Sequence, residues 1–193
     1  MTPHRLSTLA GIAAFAAVAV SPLAAAAEYT AVDPAKSRLA FGYTQMGVPL
    51  EGDFKNFEVE LAFDPARPEA ARATMVVPLA SVDAGFPDAN TELAGKLWFD
   101  TARHPSARFE STAVKALGGN RFEVRGPLTI KGRTHEVAAP VTFTPQGNGG
   151  VLAGTFTLKR ADFAIGEGMW ADFGTVANEI RIQFQLAAVA AGK

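Results

Sequence analysis

Cysteine is absent from this chain of 193 residues. Its absence excludes disulfide bonds, catalysis by a thiolate and metal sites built from cysteine ligands. It also excludes a lipid-modified cysteine, so we expect no lipid anchor of that kind. A compartment that permits disulfides without requiring them, such as the bacterial periplasm, is compatible with this composition.

Histidine is scarce, and positive charge is not in excess. Outside the N-terminal segment only His104 and His135 occur, and neither belongs to an HExxH or similar metal-binding spacing. Lysine and arginine number 18 against 19 aspartates and glutamates, which gives a formal net charge of −1. A nucleic-acid partner needs clustered basic charge and is therefore not expected.

Hydrophobic runs are long only near the N-terminus. Residues 9–20 are apolar and half of them are alanine, and the run is too short to cross about 30 Å of hydrocarbon. A weakly basic start precedes them, a Ser-Pro pair ends them, and three alanines at 25–27 provide a small-residue cleavage site. We predict a cleaved signal peptide over residues 1–27 and one exported domain over residues 28–193.

Motifs for catalysis are lacking as well. No GxSxG elbow, phosphate-binding GK[ST] sequence or calcium-binding loop occurs. Glu58, Glu60 and Glu123 fall in the outward phase of predicted strands, where charge keeps a sheet face soluble. We therefore predict no catalytic residues and no metal site.

Alternation of apolar and polar residues dominates the sequence after residue 28. Residues 57–63 (FEVELAF) and 180–186 (IRIQFQL) alternate strictly, which predicts strands with one buried face. Short connections rich in glycine and asparagine, at 118–120, 131–133 and 146–150, separate further alternating segments and predict antiparallel hairpins. The sequence shows no alternation with long helices, so a parallel sheet is not expected.

About eight strands of this length predict an all-β sandwich or a closed barrel. Closure removes exposed edges, and an eight-stranded barrel is wide enough for one slim ligand. One helix is predicted over residues 88–97, beginning with capping residues, and a second short turn near residues 48–50. The apolar residues favour a barrel with a lined interior.

Phenylalanine is the abundant aromatic residue, with 14 copies against two tyrosines and two tryptophans. It repeatedly takes the buried phase of the predicted strands, as at Phe41, Phe57, Phe63, Phe109, Phe122, Phe143, Phe156 and Phe184. These rings either fill a solid core or line a hollow, and their pattern alone leaves both interpretations open.

Four segments together resemble one known family. They are residues 29–37 (YTAVDPAKS), 93–111 (LAGKLWFDTARHPSARFES), 126–137 (GPLTIKGRTHEV) and 160–166 (RADFAIG). In this order and spacing they resemble the YceI-like family of lipocalin-like periplasmic proteins. The chain departs from the family at Lys36, where histidine is common.

The resemblance implies an extended antiparallel eight-stranded lipocalin-like β-barrel with an apolar tunnel and one or two short helices. It implies binding of a long isoprenoid chain, either a polyprenyl lipid or an isoprenoid quinone, without catalysis or a further cofactor. We therefore expect a periplasmic, exported carrier. An accessory protein in stress or electron transfer, presenting a quinone to a membrane cytochrome, is the alternative. The third candidate function is that of a hydrolase that uses His104 or His135.

Twelve residues are predicted to line the tunnel or its mouth. They are Phe41, Tyr43, Met75, Trp98, Phe99, Asp100, Phe109, Leu128, Phe156, Arg160, Phe163 and Trp170. For Trp98 and Phe99 a second interpretation, that they plug one barrel end, stays open. The expected partners are the lipid and, transiently, a membrane or a membrane cytochrome. The protein is expected to be a monomer or a homodimer.

Overall fold

The structure of the protein is a computed structural model that describes residues 28–191. The predicted signal peptide, residues 1–27, lies outside the described residues. Within residues 28–191 eleven strands form one antiparallel sheet. In chain order they are β1 (Tyr29–Gln45), β2 (Val48–Phe54), β3 (Glu58–Ala62), β4 (Arg72–Pro78), β5 (Val82–Asp83), β6 (Ser106–Glu110), β7 (Ala113–Gly118), β8 (Arg121–Ile130), β9 (Arg133–Gln146), β10 (Gly149–Lys159) and β11 (Glu179–Ala190).

Helical structure is limited to short segments. One α-helix, α1 (Pro87–Ala94), is accompanied in the described residues by four 3₁₀ turns. These turns are Pro68–Ala70, Leu79–Ser81, Arg160–Phe163 and Gly168–Trp170. In the described part of the chain no helix is both long and apolar enough to cross a membrane.

The sheet curls until the start of β1 meets the edge strand β3. Its strand order is β3-β4-β6-β8-β9-β10-β11-β1-β2-β5, with β7 also paired to β8. Tyr29 at the start of β1 and Phe63 after β3 exchange two main-chain hydrogen bonds of 2.8 and 2.9 Å. The Lys55 N–H, directly after β2, donates to the Ser81 carbonyl at 2.9 Å and extends the pairing of β2 with the edge strand β5. The predicted lipocalin-like antiparallel barrel is thereby confirmed.

The strand count of eight is corrected to eleven. The segment predicted as one strand around Phe109 divides into β6 and β7, because the chain bends at Ser111. There the Ser111 hydroxyl accepts the Ala73 N–H at 2.8 Å. Gly126 opposite has no Cβ, and any side chain there would collide with the Glu110 carbonyl. The turn predicted near residues 48–50 is instead the start of β2, paired with β1.

The helix is also shorter than predicted. It ends at Ala94 instead of residue 97, and the Gly95 N–H bonds to the Glu92 carbonyl. No side chain caps its N-terminus, because Phe86 occupies the N-cap and Pro87 the first turn. Proline is favoured at that position because its missing N–H would have no helical partner. Leu97 consequently lies outside the helix and is exposed.

The buried side chains form two clusters. One, beside α1, includes Leu79, Trp98, Phe99 and Phe163. The second, beside the β1–β3 contact, is built around four aromatic rings: Tyr29, Phe63, Phe122 and Phe143. We call these the mouth end and the aromatic end of the barrel. The mouth end also contains the β1–β2 turn and residues 160–178.

Candidate functional site: an apolar cavity inside the barrel

The barrel encloses a cavity of about 550 Å³ that extends between the two clusters. Alternate residues of the strands supply its walls, because successive side chains of a strand point to opposite faces. On β8 the lining runs from Phe122 to Ile130, about 26 Å of strand at ~3.3 Å per residue. The cavity is therefore elongated along the barrel. Its volume lies within the range of small-molecule sites in proteins.

Polar and charged lining residues concentrate at the mouth end. There the lining includes Tyr43, Gln45, Asp88, Glu92 and Arg160. Asp88 and Glu92 project from α1 and are exposed, so the cavity reaches solvent beside this helix. The phenol of Tyr43 is half-buried, and burial raises its pKa above the ordinary value. At the opposite end Arg72 is the one charged lining residue within the described part of the chain.

Arg160 organises the mouth end through main-chain carbonyls. It is 1% exposed, and its Nη1 donates to the Ile165 and Gly166 carbonyls at 2.8 Å. Its Nη2 donates to the Trp170 and Val176 carbonyls at 2.7 Å, and its Nε donates to the Ala177 carbonyl at 3.1 Å. Five hydrogen bonds thus hold the segment 165–177 around one cation.

The charge of Arg160 has no carboxylate partner within 4 Å among residues 28–191. Burial lowers its pKa, but a guanidinium stays protonated in proteins. Aromatic rings cover it instead: its Cζ lies 5.7 Å from the Trp98 ring centroid and 5.2 Å from that of Phe173. Such contacts stabilise a cation that has left water.

The two tryptophans of the chain meet at this end. Their ring centroids are 5.5 Å apart. The Trp170 indole Nε1 donates to Glu92 Oε1 at 2.8 Å and ties residues 168–170 to α1. The Trp98 Nε1, in contrast, is buried and has no acceptor among the residues that the structure describes. A buried donor without a partner costs about 1–3 kcal/mol.

The aromatic end is closed by ring packing. Tyr29 and Phe143 are 4.9 Å apart, and Phe63 lies 5.2 Å from Phe143 and 5.3 Å from Phe122. These pairs pack edge to face, which places the positive ring edge against the negative ring face. Phe63 and Phe122 contribute to the cavity wall, and Tyr29 and Phe143 lie behind them.

The structure places ten of the twelve predicted site residues on the cavity wall. They are Phe41, Tyr43, Met75, Trp98, Phe99, Phe109, Leu128, Phe156, Arg160 and Trp170. Trp98 and Phe99 belong both to the buried cluster of the mouth end and to the lining, so both of their proposed roles are compatible with the structure. Their contact with a ligand stays a prediction.

The remaining two predicted residues lie off the wall. Asp100 is 6% exposed in a left-handed turn, and its carboxylate faces Arg103 at 3.6 Å. Phe163 is 1% exposed, belongs to the buried cluster of the mouth end and packs against the His135 ring at 5.0 Å, but it does not border the cavity. Both positions are corrected for the same reason. The turn or 3₁₀ geometry around them breaks the alternation that would have directed them inward.

Several lining residues were not among the predicted twelve. Ile180, Ile182 and Phe184 occupy the inward phase of β11, and their alternation could have identified them. Glu92 gave no such signal, because its place depends on α1 packing across the barrel end.

Neither His104 nor His135 lies on the cavity wall. The His135 Nε2 is hydrogen-bonded to the Asp162 carbonyl at 2.9 Å. His104 sits beneath the glycine of the β8–β9 turn. Among residues 28–191 no group of three histidines, aspartates or glutamates could hold a metal ion.

Comparison with known proteins finds the same architecture elsewhere. The crystal structure of BcnA from Burkholderia cenocepacia superimposes with a TM-score of 0.80 at 42% identity, covering 82% of this chain and 99% of that one. A polyisoprenoid binding domain from Saccharophagus degradans, implicated in plant cell wall breakdown, shares the fold with a TM-score of 0.67. It is 17% identical and matches 86% of this chain and 100% of its own.

Sequence comparison agrees with the structural comparison. A UPF0312 protein of Azotobacter vinelandii is 31% identical over 181 residues, which cover 90% of this chain and 92% of the relative. The model of the YceI-like domain matches residues 30–188. This chain therefore belongs to the YceI-like family.

Proposed function

We propose that this protein is a periplasmic carrier that binds a long-chain isoprenoid lipid, either a polyprenyl lipid or an isoprenoid quinone, and catalyses no reaction. One observation carries the proposal: the cavity is elongated, its wall is apolar over most of its length, and its polar groups concentrate at one end. The related domain from Saccharophagus degradans, described as polyisoprenoid binding, supports the same class of ligand.

The polarity of the wall orients the ligand. The hydrocarbon tail is placed against the inward residues of the strands and points toward the aromatic end. Each isoprene unit gains about 4 kcal/mol on leaving water, at ~0.8 kcal/mol per carbon. A bilayer offers nearly the same gain, so selectivity over other lipids depends on cavity width and on the groups at the mouth.

Those groups favour a neutral head group. Trp98 has a free indole N–H that a ligand oxygen reaching the ring would satisfy. Asp88 and Glu92 would repel a phosphate or pyrophosphate, and the donors of Arg160 are already bonded to main-chain carbonyls. A quinone carbonyl or an alcohol oxygen fits this arrangement better than a polyanion.

A second proposal concerns what happens to a bound quinone. A neutral quinone ring held beside Trp98 and Trp170 would lie where the cavity reaches solvent. From there it could be presented to a membrane cytochrome. Reduction of the bound quinone by a purified membrane fraction would support this role. Reduction that requires release of the quinone would count against it.

The carrier proposal is tested by expressing the full chain in a bacterial periplasm and recording its native mass spectrum. We expect a polypeptide that begins at Glu28 and carries one lipid with a mass that fits a multiple of isoprene units. Refilling the delipidated protein with a polyprenol or an isoprenoid quinone should restore a one-to-one complex. A protein that stays empty with both ligands would end the proposal.

Ala139→Phe is a matched variant for that experiment. Ala139 is buried on β9 and borders the void, so the added ring would occupy ligand space. We expect loss of the bound lipid with folding stability unchanged or raised by about 1 kcal/mol, as for other cavity-filling changes. A variant that keeps full lipid occupancy would show that the lipid binds elsewhere.

A further inference from the structure

We propose that an apolar rim around the mouth end inserts into the surface of a lipid bilayer. The rim consists of six exposed side chains: Met46, Val48, Phe86, Leu97, Met169 and Phe173. This inference rests on the proposed function only for the identity of the cargo. The partner is a lipid bilayer, and the rim is the surface of the protein that contacts the bilayer.

The six residues are adjacent to the cavity although they are not part of its wall. Met46 lies in the β1–β2 turn and Val48 is the first residue of β2, and the Met46 N–H donates to the Thr175 carbonyl at 2.9 Å. Phe86 precedes α1, whose first turn lines the cavity. The rim therefore surrounds the side of the barrel where the cavity reaches solvent.

The other three come from the segments that follow α1 and Arg160. The Leu97 carbonyl accepts the N–H groups of Gly166 and Glu167 at 2.8 and 2.9 Å. Met169 directly precedes Trp170, and the Phe173 ring lies 5.2 Å from the Arg160 Cζ.

The distribution of exposed apolar residues is strongly one-sided. Eight large hydrophobic side chains are exposed in the described part of the chain, and six of them form the rim. The other two, Leu117 and Val189, lie at the aromatic end, on β7 and β11. Exposed apolar groups concentrated in one patch indicate an interaction surface.

The shape of the rim favours a fluid partner over a protein. Met46 and Met169 are 76% and 79% exposed, so each projects into solvent from a separate loop. Isolated projecting side chains bury their surface readily in the acyl boundary of a membrane. A folded protein partner would need a matching pocket for each of them. The cargo proposed for the cavity also resides in a bilayer, so docking here would place the opening next to it.

Charges around the rim are only partly paired within the protein. Glu167 pairs with Lys131 at 2.9 Å and Glu51 pairs with Arg181 at 3.2 Å. Asp88, Glu92 and Asp172 have no cationic partner within 4 Å among residues 28–191, and unpaired carboxylates repel anionic lipids. Docking should therefore depend on apolar insertion and not on anionic lipids, whose attraction is screened by salt. We expect binding to phosphatidylcholine vesicles that persists at high ionic strength.

The test compares the full exported protein with the triple variant Met46→Asp, Phe86→Asp, Met169→Asp in vesicle flotation. Wild type should float with phosphatidylcholine vesicles in 0.05 M and 1 M salt, at about the same fraction. The triple variant should lose flotation and transfer a fluorescent isoprenoid between vesicles at least about tenfold more slowly. Leu117→Asp, an equally polar change at the opposite end, should behave as wild type.

Cargo binding is measured separately by native mass spectrometry without vesicles. The triple variant should keep wild-type occupancy, since none of its three positions borders the cavity. The inference is overturned if wild type does not float, if the triple variant floats equally well, or if only anionic vesicles bind and salt releases them. If the wild type is a dimer and the triple variant is a monomer, the rim binds a second copy of the chain, and the inference is also overturned. Failure of cargo binding alone would instead count against the proposed function.

Discussion

The two ends of the barrel close the same cavity by different chemistry. At the mouth end one buried cation collects five main-chain carbonyls and holds residues 165–177 in place. At the aromatic end four rings pack edge to face with no charged group among them. The first arrangement fixes a loop whose regular structure is limited to the short 3₁₀ turn Gly168–Trp170. The second closes the barrel by apolar burial.

The difference matters for a protein that must admit a ligand. Hydrogen bonds from one side chain can be lost together, so the mouth segment can open as a unit while the strands stay intact. The ring packing does not depend on a single side chain in this way, because each ring contacts several others. We therefore expect ligand entry at the mouth end and a stable closure at the other.

The largest effect is expected from Arg160→Met. The substitution leaves five carbonyls without their donor, and each buried acceptor that stays unsatisfied costs about 1–3 kcal/mol. Urea unfolding should show this loss in the free energy of unfolding. Hydrogen exchange should accelerate in residues 165–177 before it does in β8 or β9. A loss below about 1 kcal/mol would contradict the role assigned to Arg160.

Phe63→Ala should have the next largest effect, at the opposite end. Deleting a buried phenyl ring costs about 3–5 kcal/mol, with less where the site can collapse. Because Phe63 borders the cavity, its loss also lengthens the void. The variant should retain longer isoprenoid chains than wild type in native mass spectra, whereas Phe63→Leu should not. An unchanged chain-length profile would mean that the tail does not reach this end.

A smaller effect is expected from Trp98→Phe. The change removes a buried N–H that has no acceptor, so the empty protein should be as stable as wild type or up to about 1 kcal/mol more stable. Affinity for a quinone should fall up to about tenfold, and affinity for the isoprenoid hydrocarbon without a head group should stay constant. Equal losses for both ligands would indicate that the ring acts by packing alone.

The smallest effect concerns pH. Burial raises the pKa of Tyr43, which means that the folded protein favours the neutral phenol. This contribution to stability is fully present below the ordinary tyrosine pKa of about 10 and is lost as the pH rises through the higher folded value. Tyr43→Phe should abolish this part of the alkaline decline in the unfolding free energy. The same decline in the variant would assign it to other groups.

The sequence predicted the barrel well because its signals are local. Strict alternation in residues 57–63 and 180–186 and the glycine-rich turns identify antiparallel strands without knowledge of their partners. The same alternation placed Phe41, Tyr43 and Met75 on the inner face correctly. The apolar residues favoured a barrel over a sandwich, and the family resemblance then implied the lipocalin-like form of that barrel.

The mouth end was predicted less well because it is made of irregular backbone. Inward direction cannot be inferred where alternation stops, so Asp100 and Phe163 were assigned to the wall in error. The five hydrogen bonds of Arg160 go to carbonyls up to 17 residues away, and no pattern in the neighbouring sequence predicts these bonds. Glu92 likewise meets Trp170 across 78 residues.

Tryptophan fluorescence tests the orientation of the ligand most directly, because both tryptophans of the chain, Trp98 and Trp170, lie at the mouth end. Titration with an isoprenoid quinone should quench their emission in step with one-to-one binding, and a polyprenol of equal length should bind without that quenching. Quinone binding that leaves the emission unchanged would contradict the account, because the head group would then lie away from the mouth.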